Sequence, residues 1–391
     1  MKRIIFTVLL AFVIISVSGG CSRNNIPAPI NTLPKASMEP AEAISKRILP
    51  KGLIVAVVAK DYGTIFLVEV DTGLRHKFDI QGETAINIYG WSNNGCSLIV
   101  ETETDRIVKA DIEGNIITDI VKVGKLNFEG EMIQTSISPD EKWIAIVSGT
   151  GNQEFTSYEF QNLVTFYVQN QSSEIYKLTN SGLVNGIAWS PDSNLLAYND
   201  NDIHGVQQIF ISHPSGSNKF QLTHFESEGL VIRSLKWSPS GEKIAFAVIN
   251  EEMHESYLGL IEISSDNHLK YISSIAGVGE FWWASDDILV ADILPSGKNP
   301  DKITDRAISW YDASTGEQIG KLDTTNLPNG SFEAPGPLAF SDKMGFFSNG
   351  GFYVFDMSSS QIEHIFNKFI DIRYWISGPQ SDDIESCNLQ K

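Results

Sequence analysis

The chain has 391 residues, with 29 Lys and Arg against 48 Asp and Glu, which gives a formal net charge of −19. Nucleic-acid binding requires clustered Lys and Arg, and no basic run follows the first three residues, so nucleic acid is not an expected partner. Hydrophobic residues make up 42% of the chain and include many aromatic and β-branched side chains, which favours a β-rich core.

Residues 1–20 have the features of a signal peptide. Lys2 and Arg3 precede an apolar run from Ile4 to Val17, and small residues follow. A membrane-spanning helix needs about 20 apolar residues, so this run is too short to be one. Removal of the segment would change the net charge from −19 to −21, because it carries two basic and no acidic residues.

The stretch Ser18-Gly19-Gly20-Cys21 resembles the lipobox of bacterial lipoproteins, although Ser18 replaces the usual aliphatic residue. The resemblance implies that Cys21 becomes the lipidated first residue of the mature protein. An ordinary secretory signal is the alternative. Residues 21–50 are then predicted to be the lipidated cysteine and a polar, Pro- and Ala-rich disordered tether. The expected location is a cell membrane, lipid-anchored and facing the extracellular or periplasmic side.

A repeat dominates the remaining sequence. The segment "IAWSPDSNLLAY" at 187–198 is followed by "LKWSPSGEKIAF" at 235–246. A small polar residue after an aromatic or apolar one recurs at intervals of 36 to 56 residues, at Ser92, Ser138, Ser190, Ser238, Ser285, Ser341 and Ser377. Each unit reads as four short strands separated by Gly, Pro, Asn and Ser turns, which is typical of a propeller blade.

The two ends of the repeat region complement each other. Residues 371–378 predict an innermost strand with nothing behind it, whereas 53–59, 64–70 and 75–80 predict three strands that lack an innermost partner. Joined, they complete one blade and remove an exposed strand edge. We therefore predict an all-β, seven-bladed propeller of four-stranded antiparallel blades at 51–380, closed by N- and C-terminal strands, with a tail at 381–391.

The segment 188–223 resembles the WD40-like propeller repeat of the TolB type: a Trp-Ser-Pro turn, an aliphatic strand, a loop, an Ile-rich strand, a Gly turn and a closing Leu-Thr. The resemblance covers 133–273 well and weakens beyond. It implies tryptophans packed between blades, at Trp91, Trp189, Trp237, Trp283 and Trp375. An accessory role in an envelope complex is a further analogy.

The longer connections, at 150–162, 201–206, 250–256, 294–306 and 323–336, are predicted to lie on one face of the ring, where propellers bind ligands. Phe155, Tyr158 and Phe160 could contact a sugar or peptide there, or fold back as a cover. Three charged residues on inner strands could face the central channel or form salt bridges between blades: Arg233, Glu280 and Arg373.

The sequence contains no Gly-x-Ser-x-Gly elbow, no Ser-x-Asp-x-Gly-x-x-Trp box, no HxxxH or HxH spacing and no phosphate-binding glycine loop. Asp200, Asp202 and Gly205 imitate the start of a calcium loop, but Ile211 occupies the place of the required Glu. No cofactor and no metal are therefore predicted. Cys96 and Cys387 could form a disulfide, but the sequence does not fix their distance.

The sequence favours a non-catalytic, envelope-anchored scaffold that binds a protein or a ligand. The expected partners are the membrane, through the N-terminal lipid, and an envelope protein or glycan. A propeller hydrolase or lyase acting on polysaccharide or peptide through the funnel is the alternative, and the sequence does not decide whether the chain is an enzyme.

Overall fold

A computed structural model describes the chain between residues 54 and 377, with internal gaps. The residues outside the described ranges are 1–53, 60–64, 70–71, 93–94, 124–125, 127–130, 151–159, 169–173, 182–183, 227–228, 251–254, 264–268, 274–277, 294–306, 325–326, 328–332, 339–342, 350, 368–371 and 378–391. Within the described ranges, no helix is long and apolar enough to cross a membrane.

The described strands form four-stranded antiparallel sheets, and six of these sheets are built from consecutive strands. Blade 1 contains β4 (Ala85–Trp91), β5 (Ser97–Thr102), β6 (Arg106–Asp111) and β7 (Ile116–Lys122). Blade 2 contains β8 (Glu131–Ile137), β9 (Trp143–Thr150), β10 (Phe160–Tyr167) and β11 (Ile175–Lys177). Blade 3 contains β12 (Ile187–Trp189), β13 (Leu196–Asn201), β14 (Gln207–Ser212) and β15 (Phe220–Gln221).

The second half of the chain repeats this pattern. Blade 4 contains β16 (Leu230–Trp237), β17 (Lys243–Asn250), β18 (Glu255–Glu262) and β19 (Leu269–Ser273). Blade 5 contains β20 (Val278–Trp283), β21 (Ile288–Ile293), β22 (Ala307–Asp312) and β23 (Gln318–Lys321). Blade 6 contains β24 (Glu333–Pro337), β25 (Lys343–Ser348), β26 (Gly351–Asp356) and β27 (Gln361–Asn367). The prediction of an all-β propeller with four-stranded antiparallel blades is confirmed.

A further four-stranded sheet joins the two ends of the described chain. Its strand order is β28-β1-β2-β3, with β1 (Ile54–Ala59), β2 (Ile65–Glu69), β3 (Arg75–Phe78) and β28 (Ile372–Ser377). Strands β1 and β28 pair antiparallel, so that Val57 lies opposite Trp375. The predicted pairing of the first and last strands is therefore present. We call this sheet the composite sheet.

The serines that mark the repeat lie in the turn between the first and second strands of a blade. The Ser190 hydroxyl accepts a hydrogen bond from the Leu195 N–H at 2.9 Å and donates one to Asp192 Oδ1 at 2.6 Å. Ser138 makes the same two contacts in blade 2. Both serines are buried. The register mark is thus a side chain that satisfies the backbone of a tight turn.

Two of the predicted anchor tryptophans connect neighbouring blades through their indole N–H groups. Trp237 in blade 4 donates to the Ala188 carbonyl of blade 3 at 2.9 Å, and Trp283 in blade 5 donates to the Lys236 carbonyl of blade 4 at 3.0 Å. Both acceptors immediately precede the aromatic residue of the earlier blade. The interpretation of these two tryptophans as packing between blades is confirmed.

Cys96 lies just before β5 and is disulfide-bonded. The other two cysteines, Cys21 and Cys387, lie outside the described residues. The sequence alone left this bond open because separation along the chain does not give the distance between two thiols.

Ser190→Ala is expected to lower the free energy of unfolding by about 1–2 kcal/mol, because the substitution leaves the Leu195 N–H without its acceptor in a buried turn. Urea or guanidinium unfolding followed by circular dichroism measures the loss. The exposed Ser217→Ala, whose hydroxyl contacts the Ser215 hydroxyl, is the control and is expected to change stability by less than about 0.5 kcal/mol. Equal losses in the two variants would contradict the role given to Ser190.

Candidate functional site

The first strands of neighbouring blades contact one another and surround the central channel. A β-bulge interrupts five of these strands near the end at which they receive the connection from the preceding blade. The register shifts lie between Ala85 and Asn87, Met132 and Gln134, Ile232 and Leu235, Val278 and Phe281, and Glu333 and Gly336. Bulges turn side chains away from the regular alternation, so the bulged ends form a candidate site at the channel mouth.

A buried amide side chain holds the beginning of the inner segment of blade 3. Asn199 Oδ1 accepts hydrogen bonds from the backbone N–H groups of Asn185 and Gly186, both at 2.8 Å. A side chain on Gly186 would collide with the carbonyl of Arg233, since a Cβ atom there would lie 2.1 Å from that oxygen. The inner segments of blades 3 and 4 are therefore in direct main-chain contact.

Two further amides fix the connection from blade 3 to blade 4. Gln207 Oε1 accepts the Ile232 N–H at 2.8 Å. Gln208 both accepts the Phe225 N–H and donates to the Phe225 carbonyl, each at 2.9 Å. Thr223 donates to Gln208 Oε1 at 2.8 Å, which gives a physical role to the Thr of the closing Leu-Thr pair. These buried bonds make the channel mouth of blades 3 and 4 a fixed platform.

The connection at 201–206 is a tight turn that presents one apolar side chain. Asp202 Oδ1 accepts the N–H groups of His204 at 2.8 Å and Val206 at 3.1 Å, and Gly205 has a positive φ of 83°. Ile203 at the tip is 95% exposed. A rigid turn next to the amide platform therefore holds a fully exposed isoleucine in a defined position.

The resemblance of this segment to a calcium loop does not extend to its contacts. Asp200 is bound by the Lys219 ammonium at 2.9 Å, and Asp202 is used by the backbone of its own turn. Within the part of the chain that the structure describes, no group of three or more His, Cys, Asp or Glu side chains could hold a metal ion.

Among the predicted site residues, Glu280 lies close to a cation of the neighbouring blade. Glu280 lies in the bulge of β20, and its carboxylate is 3.8 Å from the Lys236 ammonium of β16. The same ammonium lies 5.3 Å from the centre of the Phe281 ring. Burial lowers the pKa of Lys236, and Glu280 partly opposes this effect. The Lys236 side chain is nevertheless 39% exposed.

Arg233 lies in the bulge of β16 and is half-buried. The salt bridge expected for it is not formed with any of the described residues, and its Nε atom is buried without a hydrogen-bond partner. The remaining predicted residues give less information. Cys21, Phe155 and Tyr158 lie outside the described residues, and for Phe160 and Arg373 only the backbone, in β10 and β28, is described.

A buried carboxyl group near the channel was not predicted. Glu101 is 1% exposed and accepts a hydrogen bond from the Tyr89 hydroxyl at 2.6 Å, whereas its Oε1 atom has no partner. Burial raises the pKa of Glu101, and the hydrogen bond from Tyr89 opposes this rise. The only signal in the sequence was an acidic residue that follows the apolar run Leu98–Val100.

No protein-family model and no curated protein matches the sequence. Solved structures do match. An oligogalacturonate lyase in complex with manganese is 14% identical with a TM-score of 0.51, over 82% of this chain and 86% of that one. A structure of prolyl endopeptidases is 10% identical with a TM-score of 0.52, over 75% of this chain and 44% of that one. TolB from Acinetobacter baumannii is 14% identical with a TM-score of 0.43, over 68% and 62%.

The first two matches support the propeller fold, and at these identities they support the fold alone. This chain spans less than two thirds of the length of the prolyl endopeptidase and TolB chains. A fold shared by a lyase and peptidases does not select one activity.

The free energy of unfolding of Glu101→Gln is expected to increase relative to that of wild type as the pH rises from 4 to 7. The pKa of Glu101 is higher in the folded than in the unfolded chain, so wild type loses stability as the unfolded carboxyl ionises, whereas glutamine does not titrate. Thermal unfolding of both chains across this pH range measures the difference. Tyr89→Phe removes a hydrogen bond that lowers this pKa and should enlarge the pH dependence. A difference between Glu101→Gln and wild type that is constant with pH would contradict the assignment.

Proposed function

We propose that this chain is a non-catalytic binding propeller that is tethered to the outside of a cell membrane and recognises an envelope protein or ligand through its channel-mouth face. The observation that carries the proposal is the amide platform of Asn199, Gln207 and Gln208, which holds Ile203 fully exposed beside it. A preorganised surface loses little conformational entropy on binding, which is how rigid scaffolds gain affinity.

The finer architecture that we propose is a closed ring with the composite sheet as its seventh blade. Ile65 and Phe78 of the composite sheet share a core cluster with Leu98 and Val108 of blade 1, and Ile376 packs against the same cluster. On the other side, β28 contacts β24 of blade 6. Both neighbours of the composite sheet are thus the ones that a seven-bladed ring requires.

The membrane tether is proposed from the sequence around Cys21, where a signal peptide precedes a lipobox-like stretch. An independent observation agrees with export: Cys96 is disulfide-bonded, and such bonds persist in oxidising compartments outside the cytosol.

An enzyme acting on polysaccharide or peptide is the second candidate, supported by the fold shared with a lyase and with prolyl endopeptidases. A glycosidase would need two carboxylates at a set separation. In the described part of the channel mouth, the Glu280 carboxylate lies 3.8 Å from the Lys236 ammonium, and the Asp292 carboxylate lies beside Gly279 of the same bulge. Product formation by the purified chain from polysaccharides or peptides would favour this candidate.

Ile203→Asp is expected to reduce the recovery of an envelope partner at least fivefold when the tagged chain is cross-linked and captured from the envelope of the cell that makes it. A charge at the tip of the turn would have to be buried against the partner. Quantitative mass spectrometry of the captured proteins measures the ratio to wild type.

Phe220→Asp is the matched control for this experiment. Phe220 is 50% exposed in β15, the outer strand of the same blade, and its substitution should leave the recovery unchanged. If the two variants retain the same partners in the same amounts, the turn at Ile203 is not the binding surface.

Cys21→Ala is expected to move the protein from the membrane fraction to the soluble fraction, because a lipidated cysteine supplies the acyl chains that anchor the chain. Fractionation with immunoblotting, together with the mass of the mature N-terminus, checks this expectation. A Cys21→Ala chain that stays in the membrane fraction would exclude anchoring through Cys21.

A further inference from the structure

The inner strand of blade 4 carries an arginine without a partner. Within the described residues Arg233 has no ion pair and no side-chain hydrogen bond, although its Nε atom is buried. A guanidinium is charged at all physiological pH values and offers five N–H donors. Since the chain has 48 acidic residues against 29 basic ones, an arginine that has no carboxylate partner among the described residues is unexpected from composition.

The register of the bulge decides which side of blade 4 Arg233 occupies. Ile232 lies opposite Val248 and Leu235 opposite Phe246, so Arg233 and Ser234 together oppose Ala247. Residues opposite each other in neighbouring strands lie on the same face of a sheet. Ala247 belongs to the core cluster shared by blades 4 and 5, which includes Phe281. Arg233 therefore lies on the face turned towards blade 5.

Lys236 lies on the same face by the same reasoning. It is opposite Ala245, which is in the cluster shared by blades 4 and 5 as well. Ile232, Leu235 and Trp237 lie instead in the cluster shared with blade 3. Without the bulge, residues three apart would point to opposite faces, so the inserted residue is what brings the two cations to one side.

We propose that Arg233 and Lys236 form a site for an oxyanion group, a carboxylate or a phosphate, carried by an acidic ligand that enters the channel between blades 4 and 5. The proposal rests on the binding function proposed above. The Glu280 carboxylate lies 3.8 Å from the Lys236 ammonium, whereas Arg233 has no ion pair with any of the described residues. The planar guanidinium fork matches the two oxygens of a carboxylate or phosphate.

The position of the site strengthens the interaction. Charges in a partly enclosed channel attract each other more strongly than on an open surface, because less water screens them. The ligand would also give the half-buried Arg233 side chain the partner that the described residues do not provide. Neutral ligands would gain neither effect.

The test is calorimetric titration of the full-length chain at low ionic strength with succinate and inorganic phosphate, with succinamide and chloride as reference probes. We expect succinate, phosphate or both to bind, and the affinity to fall with added salt. Arg233→Gln should weaken binding at least tenfold, and Arg233→Lys should restore part of it. Lys77→Gln in β3 removes the same charge far from the channel and should change the affinity less than twofold.

Preference for succinate or for phosphate identifies the group that the ligand carries. Equal affinity of wild type and Arg233→Gln, with unchanged thermal unfolding of the variant, would overturn the proposal. So would oxyanions that bind no more tightly than chloride. Either result would leave the Ile203→Asp capture experiment unaffected, so a failure of this site is distinguishable from a failure of the binding function.

Discussion

The pairing of β1 with β28 is the contact on which the remaining structure depends. An array of four-stranded sheets exposes a strand edge or a sheet face at each end, and such surfaces recruit other chains. Here the last strand occupies the inner position of a sheet whose other three strands begin the fold. Contacts between sequence positions more than 300 residues apart are costly in chain entropy. The pairing of β1 with β28 is therefore stabilised by the apolar cluster around Ile65 and Leu98, which the composite sheet shares with blade 1.

The inner strands also explain why polar side chains are buried beside the channel. At the beginnings of the inner strands, backbone N–H groups that the sheet does not pair need other acceptors. Asn199 accepts the N–H groups of Asn185 and Gly186 within blade 3, and Gln207 of blade 3 accepts the N–H of Ile232 in blade 4. In blade 4, Ser256 serves the N–H of Val278 at 2.6 Å in the same way. The amide platform therefore consists of side chains that accept hydrogen bonds from these backbone N–H groups. It is rigid because these side chains are buried.

Much of the fold could be predicted because its signals are local. The serines of the turns mark the repeat, since Ser190 and Ser138 bond to backbone groups within five residues. The site was less predictable. The side of the blade on which Arg233 lies depends on a bulge that no residue pattern predicts. The partner of Glu280, Lys236, belongs to another blade. The buried Glu101 depends on Tyr89 across a register shift.

The protein accommodates the buried Glu101 and the half-buried Arg233 in different ways. No cation contributes to the shift in the pKa of Glu101. A buried carboxyl without a cation lowers the cost of its burial by remaining protonated to a higher pH. Arg233 has no such option, because a guanidinium does not lose its proton in proteins. Its charge must be met by water in the channel or by an anion. A fold that keeps an arginine in this place gives up stability in the absence of a ligand and regains it when an oxyanion binds, which couples occupancy of the channel to the stability of blade 4.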